Sequence, residues 1–286
     1  MVFQRLVRAH RMDHLLMILR QVRWIDRLCG IQMRCVIFFV LGLIGVVLGA
    51  GVWLTDVSAA QTTLRLACND FPPHKIEHRG DDGLAGFDVD IIGEALKRSG
   101  WSSKISYMPW KRALELTERG DYDGLCSCSH TEEREAKLLF SDQLGAVSVG
   151  LFARSEQALA GISSVADLAH RKVVTVGGYN LETELVQAGA AVETTSSDKN
   201  AVDMLVGGHV DLLYGYRLTI RHFIGAAPRS SSIVYQEIRH NPYYFCLSRS
   251  LPGAPDAMRS FNRSLAEMWQ DGSIQRILDR YHVSFQ

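Results

Sequence analysis

LRLACNDFPPHKIEHRGDDGLAGFDVDIIGEALKRSG, residues Leu64 to Gly100, is the stretch that decides the fold class. Its first five residues, LRLAC, form an apolar run of strand length, and DVDIIGEALKRSG (Asp88 to Gly100) spaces its apolar positions along one face of a helix. Gly100 stands where a helix C-cap belongs. The next segments repeat the alternation: strand KISYMP, helix RALELTERG ending at Gly120, strand YDGLCSCS. Strands that alternate with covering helices imply a parallel sheet.

A second series follows FSDQLGAVSVGLFAR (Phe140 to Arg154). It runs through helix SSVADLAH, strand KVVTVGG, helix LETELVQAG, a strand near AVETT, helix NAVDMLVGG and strand HVDLLYG. The chain returns through YYFCLSRS and closes on two helices, APDAMRSFNRSLAEMWQDG and SIQRILDRYH, divided at Gly272. The expected fold is α/β, with two similar Rossmann-like lobes. Residues 61–148 and 246–286 form lobe 1, and residues 149–245 form lobe 2. No long linker separates them, so the two crossings are short and suited to act as hinges.

Upstream, VIFFVLGLIGVVLGAGVWL (Val36 to Leu54) carries no charge over nineteen residues, enough to cross a bilayer as a helix. Small residues at Ser58 and Ala60 offer a signal-peptidase site, so residues 33–60 read as a signal peptide cleaved near Ala60. A start at Met33 gives a short basic n-region, which makes residues 1–32 an upstream extension. The competing reading is a retained anchor with Arg5, Arg8, Arg11, Arg20, Arg23, Arg27 and Arg34 held in the cytoplasm. Both place the remainder outside the cytoplasmic membrane, in the periplasm.

The chain is 47% hydrophobic and 22% charged, which supports a full core rather than disorder. The first sixty residues hold seven Lys/Arg and three Asp/Glu, leaving 24 basic and 28 acidic groups in the rest. That balance excludes a nucleic-acid surface. Four cysteines remain beyond the apolar run, Cys68, Cys126, Cys128 and Cys246; in an oxidising compartment a pair among them is expected to bridge.

GFDVDIIGEAL (Gly86 to Leu96), GDYDGLCSCSHTEEREAKLLFSD (Gly120 to Asp142), KVVTVGGYN, GGHVDLLYGY and LAEMWQDGSIQRILDRY occur in an order and spacing that resembles the family-three extracellular solute-binding proteins. These serve ABC importers, chiefly for polar amino acids. The resemblance covers nearly everything after Gln61. It implies the type II periplasmic binding fold, two lobes joined by two crossovers with a small-molecule ligand between them. It also implies a permease partner in the membrane and a monomer without a cofactor.

In that family the arginine of an SxTxxR pattern grips the ligand's carboxylate, and SHTEER supplies Ser129, Thr131 and Arg134 here. A guanidinium pairs bidentately with a carboxylate, and nearby hydroxyls fill its remaining lone pairs; the bland alternative is a surface ion pair with Glu132 or Glu133. Phe71 and Trp110 follow strand ends, where open α/β sheets bind ligands, and are the candidates to sandwich the solute. Trp110, in a turn, is expected to be exposed for that purpose. In lobe 2, VGGYN brings Gly178, Tyr179 and Asn180 to a helix start whose N–H groups attract an anion.

One position departs from the family. Amino-acid-binding members carry an aspartate for the ligand's ammonium where this chain has Tyr216, and a tyrosine does not offset a buried positive charge as a carboxylate does. The solute expected is small, polar and carboxylate-bearing, an amino acid or a relative.

Other readings are weaker. Cys126, Cys128 and His130 alternate on one strand and could ligate zinc or copper, but a buried core strand accounts for them as well. His74 and His78 read as loop residues after Pro72-Pro73, and Asp88 and Asp90 as complements to a helix dipole. No G-x-S-x-G, H-E-x-x-H or P-loop motif marks an enzyme. A dehydratase or lyase of the same fold would place its acid at Asp70 or Glu184, and a membrane-anchored sensor would use the same lobes without transport.

Overall fold

The computed structural model describes residues 62–226 and 233–283; the signal or anchor segment and the upstream extension lie outside the described residues. One eight-stranded mixed sheet runs through the molecule in the order β2-β1-β3-β8-β4-β7-β5-β6. Strands β1 (Thr63–Cys68), β2 (Ser102–Tyr107) and β3 (Gly124–Ser129) form one parallel half. Strands β5 (Lys172–Val176), β6 (Ala191–Thr195) and β7 (Leu212–Tyr216) form the other. Between them stand two long antiparallel strands, β4 (Leu138–Ala153) and β8 (Val234–Ser248). This is the two-lobed α/β arrangement expected.

The long strands make the crossings. β8 gives its C-terminal end to β3, pairing Tyr243 with Ser129 and Leu247 with Gly124, while β4 gives its own C-terminal end to β7, from Val149–Tyr216 to Ala153–Leu212. Register shifts interrupt the β4–β8 ladder at Phe140/Gln143, Gln143/Gly145 and Val149/Gly150. Bulges of this kind bend and twist a strand locally. The bends therefore fall where one half of the sheet hands over to the other.

Lobe 1 is covered by α1 (Phe87–Arg98), α2 (Trp110–Glu118), α8 (Ala254–Gln270) and α9 (Ser273–Arg280). In α1 the residues Phe87, Ile91, Ile92, Ala95 and Leu96 are buried, a helical stripe laid on the sheet. β3 is buried along its whole length, as a central parallel strand must be. Truncating one such side chain, Leu66 or Leu125, is the kind of change that costs about 2–5 kcal/mol. Lobe 2 carries α5 (Asn180–Gln187), α6 (Asp198–Val206) and α7 (Arg217–Ala226); short helices α3 (Glu132–Glu135) and α4 (Glu156–Leu159) flank β4.

Four local readings are corrected or completed. SSVADLAH forms only a 3-10 turn, Val165–Leu168, opened by a capping box in which the backbone and side chains of Ser163 and Ser164 all donate to Asp167. Those four bonds hold the Asp167 carboxyl down at about 2. FSDQLGAVSVGLFAR, assigned to no element from the sequence, makes up most of β4. The return through YYFCLSRS begins nine residues upstream, at Val234, in β8. The cysteines form two bridges rather than one, Cys68–Cys126 and Cys128–Cys246, so β3 is joined to both of its neighbours. Cys126 and Cys128 thus enter separate disulfides, and His130 pairs with Glu135 at the surface.

Candidate functional site

Phe71 and Lys75 exchange backbone hydrogen bonds, 2.8 and 2.9 Å, closing a turn after β1 that carries Phe71, His74 and Lys75 inward. Gly86 makes that turn admissible: its φ is +102°, and a Cβ there would meet the His74 carbonyl oxygen at 2.3 Å. Only glycine fits such a conformation and approach. The turn, the ends of β1 and β3, and the starts of α2 and α5 converge on one small cleft lined by aromatic rings and polar side chains.

Arg134 reaches the cleft from α3. Thr131 caps this helix, its Oγ1 accepting the Arg134 amide at 3.2 Å, so Thr131 sets the arginine's backbone without itself lining the cleft. Arg134 is 5% exposed; its guanidinium donates to the Ser129 carbonyl (2.8 Å) and the Gly178 carbonyl (2.9 Å), and lies over the Trp110 ring, 5.2 Å from its centroid. Burial lowers its pKa, with Tyr216 and Glu118 acting the other way. Among the described residues no carboxylate stands within 4.0 Å of it, which disposes of the surface ion pair with Glu132 or Glu133.

Trp110 is buried rather than exposed. Its Nε1–H donates to the Gly178 carbonyl at 2.8 Å, and its ring meets Tyr179 edge-on. Phe71 lies edge-on to both Tyr179 and Tyr216 across the cleft. From lobe 2, the Tyr216 hydroxyl donates to Asn180 Oδ1 (2.7 Å) and lies 3.1 Å from Ser129 Oγ, while Asn241 Nδ2 donates to the same Ser129 Oγ at 2.7 Å. Burial pushes the Tyr216 phenol up to about 12, so its proton stays on.

The predicted residues Arg134, Ser129, Trp110, Phe71, Tyr179, Asn180 and Tyr216 line the one cleft, and Gly178 meets it through its carbonyl. The helix start in VGGYN is arranged differently from expectation. The Gly178 amide is taken by the Glu182 carboxylate of the same turn, 2.6 Å away, so that donor is engaged within the protein.

Several lining residues escape a reading by motif. Asp88 stands in the first turn of α1, as expected of a complement to its dipole, but it is also buried: it is 1% exposed, 3.3 Å from His74 Nδ1, and accepts from Ser127 Oγ at 2.8 Å. His74 is equally buried, while His78 is exposed. Asn69 donates to the Tyr179 hydroxyl, which donates to Asp198, a carboxyl that burial pushes up to about 7. Lys75 is buried with them. Of the acids considered for catalysis, Asp70 accepts the Glu77 amide and Glu184 is ion-paired with Arg239.

A cleft of this form, lined by aromatic rings and by polar groups from two lobes, has the character of a binding site for a small polar solute. Residues 64–284 match the bacterial extracellular solute-binding proteins, family 3, and the chain belongs to that family. Its members are extracellular binding proteins. Among curated relatives, the L-cystine-binding protein TcyA of Bacillus subtilis (strain 168) is 22% identical over 212 residues, 74% of this chain and 77% of that one. The probable histidine-binding protein of Campylobacter jejuni is 22% identical over 227 residues, 78% and 87% of the two chains. Among solved structures, an ancestral arginine-binding protein bound to arginine aligns with a TM-score of 0.66 at 22% identity, over 77% of this chain and 98% of that one. A histidine kinase sensor domain with similarity to periplasmic binding proteins gives 0.68 at 18%, over 77% and 96%. These likenesses establish the type II periplasmic binding fold.

Proposed function

We propose that this chain captures a small carboxylate-bearing solute, an amino acid or a relative, in the periplasm and presents it to an ABC permease. The observation that carries this reading is Arg134, a buried guanidinium facing the cleft whose hydrogen-bond acceptors, among the described residues, are peptide carbonyls alone. A carboxylate satisfies such a fork with two charge-assisted hydrogen bonds. The solute docks on lobe 1 (61–148 and 246–286) through Arg134, Ser129, Trp110 and Phe71, with Thr131 holding the arginine's helix turn. Lobe 2 (149–245) closes through Gly178, Tyr179, Asn180 and Tyr216, and closure is favoured only by the contacts made there. The chain works as a monomer, exported by cleavage near Ala60, and binds without catalysis.

A thermal-shift screen of the full chain against amino acids, other carboxylates, amines and oligopeptides tests the solute class, because a ligand of the native state raises the melting temperature. Arg134→Ala is expected to weaken the best carboxylate by about a hundredfold, roughly 3 kcal/mol. Undiminished affinity in that variant would remove the anchor. The nineteen uncharged residues behind seven arginines favour one second reading, a tethered sensor. The mass of the exported protein's N-terminus separates the two: cleavage near Ala60 supports the free binder, retention of Val36 to Leu54 the tether.

A further inference from the structure

The cleft holds a second cation that an arginine anchor does not account for. Lys75 is 4% exposed, and its Nζ lies 5.0 Å from the Phe71 ring centroid and 5.8 Å from that of Trp110. Among the described residues no carboxylate oxygen comes within 4.0 Å of this ammonium, and no side-chain hydrogen bond takes its protons. The acids that act on it stand farther off and are engaged elsewhere: Asp88 with His74 and Ser127, Asp198 with Tyr179, Asp70 with the Glu77 amide. Burial outweighs their pull and brings the Lys75 pKa down to about 8. Two aromatic faces offset only part of the cost of desolvating an ammonium. The side chain is thus a charged donor, held by the protein without a direct anionic partner of its own, beside the ring that Arg134 also covers.

The lobe facing these two cations brings no acid into the lining. Tyr179, Asn180 and Tyr216 present hydroxyl and amide groups, which suit a ligand's oxygens better than an ammonium. We infer that Lys75 is a specificity-determining residue that takes a second anionic group of the solute, so that the cleft favours small dianionic acids, two carboxylates on a short carbon chain, over their singly charged analogues. This rests on the proposed reading of Arg134 as the anchor for the first carboxylate. Arg134 supplies a planar fork and Lys75 a point charge, so the first group is oriented and the second is selected for charge.

The test uses pairs that differ only in one carboxylate replaced by its carboxamide: succinate and succinamate, glutarate and its monoamide, aspartate and asparagine, glutamate and glutamine. Titration calorimetry of the full chain at pH 7 is expected to give, in at least one pair, a diacid bound about tenfold or more tighter than its monoamide. Lys75→Met and Lys75→Gln are expected to weaken that diacid by about tenfold and to leave the monoamide within about threefold. The wild-type comparison stands whether or not either variant folds. Equal binding within every pair, or variants that weaken both members alike, overturns the role of Lys75 and leaves the carboxylate anchor in place. If no acid binds while an amine or a neutral solute does, the anchor reading falls and this inference falls with it.

Discussion

The two walls of the cleft are built from different chemistry. Lobe 1 contributes charge: Arg134 and Lys75 as buried cations, with the His74–Asp88 pair beneath them. Lobe 2 contributes to the lining neutral groups, the Tyr179 and Tyr216 hydroxyls and the Asn180 amide; of its nearby ionisable groups, Asp198 accepts from Tyr179, and Glu184 and Arg239 pair with each other. The scaffolds differ in the same direction. Both disulfides lie around β3 in lobe 1, and from His130 to Phe245 the chain has no cysteine. A preorganised charged wall facing an adaptable neutral one suits a trap in which docking precedes closure. Desolvated charges need rigid support, because a misplaced one is costly, whereas neutral hydrogen bonds of about 1 kcal/mol can form and break as a lobe swings.

Three measurements would break or sharpen this contrast. The largest effect is expected from reduction. The bridges span 58 and 118 residues, and loop-closure entropy assigns them roughly 4–5 kcal/mol each. Under reductant, amide exchange should rise in β1 and β3 while β5 and β6 keep their protection; equal loss in both halves would show that the lobes unfold as one unit. The next effect concerns Lys75, whose folded value of about 8 lies below its ordinary 10.5. Between those values the unfolded chain binds more protons, so the penalty is full below about pH 8 and vanishes above about pH 10.5. Lys75→Met should therefore stabilise the unliganded protein at pH 7, by on the order of 2–3 kcal/mol, and the advantage should fade by pH 10 in urea denaturation. The smallest effect is expected from Tyr216→Phe, which removes a hydroxyl shared between Ser129 and Asn180. A fivefold weaker solute, about 1 kcal/mol, is the expected cost, and a loss matching that of Arg134→Ala would erase the distinction between the walls.

Much of this was legible from residue order. The βα alternation from Leu64 onward predicted the parallel halves, and SHTEER led to a buried arginine in a cleft. The long strands are less visible because their patterns are broken: Ser141, Asp142 and Gln143 interrupt β4 where the ladder shifts register, and Asn241-Pro242 interrupts the apolar run of β8. Lys75, His74 and Asp88 were missed for a related reason. Pro72-Pro73 reads as loop, and charged residues next to a loop or a helix start read as solvated. Their burial comes from a turn folded back against Gly86, a contact eleven or more residues away that periodicity does not register. Trp110 was expected to be exposed because nothing in the local sequence announces a bond to Gly178.

That bond bears on how fast the protein can work. The Gly178 carbonyl takes the indole N–H and one guanidinium N–H at once, so a single peptide oxygen from lobe 2 holds two of the groups a solute would meet on lobe 1. An arriving carboxylate must displace a peptide oxygen from Arg134 rather than water. Affinity is then an exchange constant, reduced by the fraction of molecules in which the latch is made. Capture would be gated by how often Gly178 lets go, and a change that loosens the latch would speed loading and raise the apparent affinity.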